Sequence, residues 1–370
     1  MSDPTTQNAP ETQSLELVVQ KTIELPTTVH SLDLSLDETT LFAACFDGGI
    51  YAVDLESGKA ELFARHDSYA SGIKRIPGSN LAVSAGYDGV LLWHDLETKQ
   101  QVRRIDAHRF WSWDLAVTSD GRAVASVTGQ YCSGNMKYAP APAEEPTVKL
   151  FDAQSGKLQH QFDLLPSVQA VTFSPDGQFL AAGNLMGDVR IWNASTGEEL
   201  AAWNSPDFTS WGTSKSAHYS YGIFGLCFTP DGQELLACGI GPMYDPIAVN
   251  GKQTWQRFAW KESPVRTVDE IHQGDHGGGV METLAFHPSD DWFVMAGRVS
   301  VGKWNLSVFD AKSGDQLTAL DVKGARLTEA LFSEDGSHLF LSGGLGQERK
   351  KDGQYPSFGR IVIAAFSTDA

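Results

Sequence analysis

Four cysteines stand in 370 residues, at Cys45, Cys132, Cys227 and Cys238, and no pair has a C-x-x-C spacing. A zinc ribbon or a covalent haem attachment is therefore unsupported. Buried free thiols are the simpler reading, and they suit a reducing compartment. Long hydrophobic runs are missing too. No stretch approaches a membrane-spanning helix, and the N-terminus has neither the basic nor the apolar segment of a secretory signal. A cytoplasmic protein without membrane insertion is expected. Basic residues are scarce: 28 Lys and Arg stand against 46 Asp and Glu, for a net charge of −18. Such a field repels phosphate backbones and argues against nucleic acid as a partner. The one basic run, Arg349-Lys350-Lys351 beside Glu348, reads as a solvated loop tip. No G-x-S-x-G elbow, Walker loop or dinucleotide fingerprint occurs, so no catalytic residue and no cofactor is expected.

What the chain does have is a repeat. Val168 to Glu198 reads VQAVTFSPDGQFLAAGNLMGDVRIWNASTGE. Alternating apolar residues lead into a Ser174-Pro175-Asp176-Gly177 turn. An apolar run over Phe179–Ala182 follows, then a corner, then Val189–Trp192. Three strands joined by tight turns fit this order, with a fourth across Glu199–Trp203. Equivalent units begin near Val29, Ser71, Trp113, Val168, Ile223, Met281 and Arg326. Third strands recur at Ile50–Asp54, Val90–Asp95, Val148–Asp152, Val189–Asn193, Trp255–Ala259, Leu306–Asp310 and Ile361–Phe366. The period is roughly 40 to 60 residues, that of propeller blades. One such sheet cannot bury both faces and needs neighbours like itself.

On these units the chain resembles the WD-repeat β-propeller family over nearly its whole length. The resemblance implies an all-β, seven-bladed propeller of four-stranded antiparallel blades. It also implies a structural hydrogen-bond set in each blade. The second unit fits best, with His66, Ser84 and Asp88 in place and His94 where Trp is usual. In the fourth unit Trp192 is kept but Met186 takes the Asp position; Phe151, Phe258 and Phe309 replace Trp elsewhere. The apolar run Leu15–Leu25 has no unit of its own and is expected to complete the last blade and close the ring. Residues 1–13 read as a disordered tail and 14–370 as one domain.

The insertions choose a face. Second-to-third strand connections and inter-blade links lie on one side of such a disc, and nearly all extra length falls there: Gly129–Pro146, Ser205–Ser220, Gly239–Gln253, Ile271–Gly279 and Gly344–Gly359. Irregular loops on a rigid scaffold are where binding sites are built. The implied function is a non-catalytic platform for other proteins, monomeric by itself. Its contact residues are expected among Phe110, Trp111, Tyr131, Tyr138, Trp211, Tyr219, Tyr244 and Tyr355, with Phe208 beside them; Trp113 has the parity of core. The competing reading is an enzyme or small-ligand binder at the central channel mouth. His272, Asp275 and His276 are the nearest approach to a metal-ligand set, but they match no metal motif, and the adjoining glycines more simply let the link turn back.

Overall fold

The structure, a computed structural model, describes residues 15–130, 145–209, 222–245, 250–346, 352–353 and 357–368. Among these, the regular elements are β-strands apart from one short 3-10 turn, Pro206–Phe208.

Each repeat opens with an inner strand that runs into a tight turn. The Ser35 N–H donates to the Thr40 carbonyl, and the same bond recurs from Ile76, Thr118, Ser174, Thr229, His287 and Ser333 to the residue five further on. The turn chemistry explains the recurrence. In five of the seven, the opening Ser or Thr hydroxyl donates to an Asp two residues later: Ser35 to Asp37, Thr118 to Asp120, Ser174 to Asp176, Thr229 to Asp231 and Ser333 to Asp335, at 2.6–2.8 Å. In the last of these turns the hydrogen bonds from Ser333 and Ser337 favour the charged carboxylate and hold Asp335 down at about 2. Gly177 closes its turn at φ +69°, a region that costs glycine nothing.

Five four-stranded antiparallel blades result. Blade 1 comprises Val29–Leu34, Thr40–Cys45, Gly49–Asp54 and Ala60–Arg65. Blade 2 comprises Ala70–Arg75, Leu81–Gly86, Val90–Asp95 and Gln100–Asp106. Blade 3 holds Asp114–Val117, Ala123–Val127, Val148–Asp152 and Leu158–Phe162; blade 4 holds Val168–Phe173, Phe179–Asn184, Asp188–Asn193 and Glu199–Asn204. A closing blade joins Ala325–Phe332, His338–Leu345 and Gly359–Thr368 to the N-terminal strand Leu15–Leu25, whose register runs from Leu15 opposite Thr368 to Leu25 opposite Gly359.

The expected seven separate blades are corrected here. The fifth and sixth repeats do not make four-stranded sheets of their own; their strands share one eight-stranded sheet. The cause is local. Gly239–Gln253 is not a plain loop insertion. Leu235–Asp245 and Asn250–Ala259 continue as one long hairpin, with Ile240 opposite Gln253 and Asp245 opposite Asn250. The extended end of Asn250–Ala259 then pairs with Gly278–Phe286, Gly251 opposite Gly279 and Lys252 opposite Gly278. Glycine permits this approach: a Cβ on Gly278 would run into the Tyr244 hydroxyl, and one on Gly251 into the Gly241 carbonyl.

The core lies between sheets. Ala125, Val127 and Leu150 of blade 3 pack against Val171, Leu180 and Trp192 of blade 4. Phe151, Phe258 and Phe309 are buried where Trp was absent. Fully buried Trp93 donates its indole N–H to the Ala153 carbonyl of the next blade at 2.7 Å. Fully burying one such aliphatic or aromatic side chain contributes about 1.5–3 kcal/mol.

Candidate interaction site at the channel mouth

The turns set a register for the inner strands that surround the central channel. The residue four before each turn opener is Ser31, Gly72, Asp114, Ala170, Gly225, Thr283 or Glu329. The polar ones do one job. Each accepts a backbone N–H from the next inner strand: Ser31 from Ile73 (3.2 Å), Asp114 from Val171 (2.9 Å), Thr283 from Ala330 (3.2 Å) and Glu329 from Leu32 (2.6 Å). The small ones make room; at Gly72 the Leu115 side chain of the next strand fills the space a Cβ would need.

The strands enclose a cavity of about 550 Å³. Asp33, Asp114, Glu282 and Glu329 line it, against Lys74, Arg75 and Arg326. Lys74 pairs with Glu329 and also donates to the Leu32 carbonyl at 3.2 Å. Arg326 grips Glu282 through two bonds of 2.7 and 2.8 Å. Asp33 and Asp114 have no cation within salt-bridge distance among the described residues, and accept only backbone N–H groups. Burial disfavours their charged forms. It raises Asp33, and it pushes Asp114 up to about 6 despite its hydrogen bonds.

One residue before each of these register positions stands another ring, which includes His30, Ser71, Trp113, Phe224 and Glu282. Here the channel opens toward the long links, and aromatics gather. His30 lies 4.1 Å from Phe46 between ring centres, Phe46 stacks on Tyr69 at 4.9 Å, and Tyr69 meets Tyr87 at 5.6 Å. Tyr87 stacks on Trp111 at 4.7 Å and 6°; Trp111 then touches Phe110 at 4.9 Å and Trp113 at 5.3 Å. The ladder crosses blades 1 to 3. Tyr69 is 42% exposed, and Phe46, Tyr87, Phe110, Trp111 and Trp113 are half-buried. Burial drives the Tyr87 phenol above its ordinary value and His30 down to about 3, so His30 is neutral.

The sequence-predicted residues distribute as follows. Phe110 and Trp111 belong to the ladder. Tyr244, 55% exposed, lies on the long hairpin of the eight-stranded sheet, apart from them. Tyr131, Tyr138, Trp211, Tyr219 and Tyr355 fall outside the described residues. Phe208 is fully buried in the core beside blade 4 and is no contact residue. His66, Ser84, Asp88 and His94 form one chain inside blade 2: Asp88 to His66 Nδ1 at 3.1 Å, His66 Nε2 to Ser84 Oγ at 2.8 Å, and Ser84 Oγ to His94 Nε2 at 2.8 Å. Burial pushes Asp88 up, but the bond to His66 and those from the Val90 and Asp67 amides outweigh it and hold the carboxyl below its ordinary value. His272 turns to Asp269 (3.3 Å) and Asp315 (3.2 Å) rather than to Asp275 and His276. No group of three His, Cys, Asp or Glu among the described residues is placed to hold a metal.

Sequence reasoning missed Phe46, Tyr69, Tyr87 and His30. One signal was available. Phe46 and Tyr87 each precede Asp-Gly in the corner after the second strand, in FDGG and YDGV, so both stand at the same place on one face.

Residues 157–193 match the family model described as WD domain, G-beta repeat. They span the outer strand of blade 3 and three strands of blade 4. The fold is a β-propeller, and the matched repeat is a WD repeat. The propeller is similar to human "WD repeat and HMG-box DNA-binding protein 1", 29% identical over 43% of this chain and 14% of that protein. It is 25% identical to "Eukaryotic translation initiation factor 3 subunit I" of Aspergillus fumigatus, over 48% of this chain and 47% of that one. It is 29% identical to "Small ribosomal subunit protein RACK1y" of Oryza sativa subsp. japonica, over 35% and 36%. The propeller thus spans less than half the length of each of these relatives.

Proposed function

We propose that this propeller is a non-catalytic platform that binds another protein through the face carrying the long links, with the aromatic ladder over blades 1 to 3 as the anchor. The ladder is the observation that carries the reading. Six aromatic side chains in contact one after another at a channel mouth are already ordered, so a partner loses little entropy in immobilising them. Aromatics with polar tips are the side chains that dominate binding energy. The opposite face offers the contrast: its turns bond their own Ser, Thr and Asp groups. Two of the relatives are named as a subunit of an initiation factor and as a ribosomal subunit protein, which supports a role within assemblies. The buried or half-buried free thiols Cys45, Cys227 and Cys238 fit a cytoplasmic setting.

A photo-crosslinking amino acid placed at Tyr69, and separately at exposed Leu36 on the turn face, tests the reading with one purified partner. Capture from position 69 and not from 36 is expected. Capture from 36 alone would move the working surface to the other face.

A further inference from the structure

We propose that the central channel is a binding site for one cationic side chain, a guanidinium or an alkylammonium, carried by the partner that docks on the aromatic mouth. The inference rests on the docking reading above and adds the chemistry of what enters.

Four observations converge. The cavity, about 550 Å³, opens among the inner strands and has space for a long side chain. Inside it the carboxylates of Asp33 and Asp114 touch no cation within salt-bridge distance among the described residues; Lys74 acts on both only at longer range and is paired with Glu329, as Arg326 is with Glu282. The Ser71 hydroxyl faces the same cavity, belongs to a residue only 7% exposed, and has no hydrogen-bond partner among the described residues. His30 Nε2, beside it in the ring, likewise has no partner among the described residues, and the imidazole is neutral, so it adds a polar partner without adding charge. A hydroxyl with no partner among the described residues and a carboxylate with no contacting cation can both bond to one donor-rich cation.

The walls agree. Tyr87, Trp113 and Phe224 line the upper cavity, and aromatic faces attract cations. An anion fits poorly: four carboxylates line the space against three basic side chains, inside a chain of net charge −18. An uncharged ligand would satisfy Ser71 but leave Asp114 as it is.

The probes are N-acetyl-L-arginine amide and its neutral isostere N-acetyl-L-citrulline amide, titrated calorimetrically into the full chain. The arginine probe is expected to bind saturably, one per chain, and the citrulline probe more than about tenfold more weakly. Ser71→Ala should weaken the arginine probe by about threefold or more, with unchanged melting, because the hydroxyl has no partner among the described residues to lose. Asp114→Asn should weaken it by about tenfold or more. Lowering the pH from about 8 to about 5 should weaken it too, because Asp114 takes up a proton near 6. The charged groups that act on Asp114 are Lys74, on the neighbouring inner strand with Arg75, and Glu329; Asp33 and the Glu282–Arg326 pair line the same cavity, and the next strand presents uncharged Gln169 and Thr172. If Asp114→Asn does not fold, the isostere pair and Ser71→Ala carry the test.

Equal binding of the two probes, no saturable binding of the arginine probe at pH 8, or a Ser71→Ala protein that binds like the parent overturns the inference. A partner that needs Tyr69 and Trp111 but is indifferent to Ser71→Ala and Asp114→Asn overturns it while leaving the docking reading standing. Failure at Tyr69 and Trp111 removes the docking reading itself.

Discussion

At the residue scale, the molecule keeps several ionisable groups away from water and holds them in one protonation state. Burial pushes His94 down to about 4 and His30 and His108 to about 3. Their unfolded forms bind protons below about 6.5. Acidification therefore favours the unfolded chain, and this contribution to stability is lost as the pH falls from about 6.5 through about 4 for His94 and about 3 for His30 and His108. Asp114 opposes the trend, since its raised value lets the folded chain take up a proton between about 4 and 6. Together, near pH 5, these four groups should tilt stability by roughly 2–3 kcal/mol per pH unit, with the protein weaker on the acid side. Urea unfolding at pH 5 and pH 7 measures the tilt. His94→Gln should remove about one proton, or about 1.4 kcal/mol per pH unit, from it. Within the same blade, Asp88→Ala leaves buried His66 without its carboxylate and should cost about 2–3 kcal/mol. An unchanged urea midpoint in Asp88→Ala would show that the chain of bonds from Asp88 to His94 stabilises nothing.

At the element scale, two seams hold the ring. One is the closing blade, where Leu15–Leu25 covers Gly359–Thr368. Removing residues 1–27 would expose an unpaired strand edge and uncover Ile361 and Ile363, which pack with Ile23 and Leu25. A melting temperature lower by several degrees is expected, about 1–2 °C for each kcal/mol lost in a chain of this length, and removal of residues 1–12 should have little effect. The other seam is the glycine contact that fuses the fifth and sixth repeats. Gly278→Val would drive a side chain into Tyr244 and should part the long hairpin from its neighbour, seen as faster amide exchange at Gly251 and Lys252.

The same two seams explain what could be read beforehand. The recurring Ser/Thr-x-Asp turns and the period-two strands carry their own local chemistry, so strand order and the Leu15–Leu25 run were legible. The fusion was not. It depends on backbone approach at Gly251, Gly278 and Gly279, residues without side chains to form a pattern, and the glycine run read as a simple link. The site was half legible for a similar reason. Phe110 and Trp111 stand in an obvious link, whereas Tyr69 and Tyr87 sit at strand ends and look like packing until the blades bring them together. Asp33 and Asp114 look like ordinary strand residues until the inner-strand register turns them toward one channel.

At the scale of the whole molecule, the charge of −18 and the aromatic ladder divide the work of recognition. The field speeds association with a basic or neutral surface and is screened beyond about 8–10 Å at physiological salt. The ladder supplies affinity that salt affects little. The most direct measurement is the dissociation constant of a purified partner for Tyr69→Ala and Trp111→Ala, set beside Glu56→Ala and Glu198→Ala in the turns of the other face, with melting recorded for all four. The ladder variants should each lose about 1–3 kcal/mol of binding, roughly 5- to 150-fold, at nearly unchanged melting, and the turn variants should lose almost none. Loss in the turn variants with the ladder variants binding like the parent protein would contradict the account.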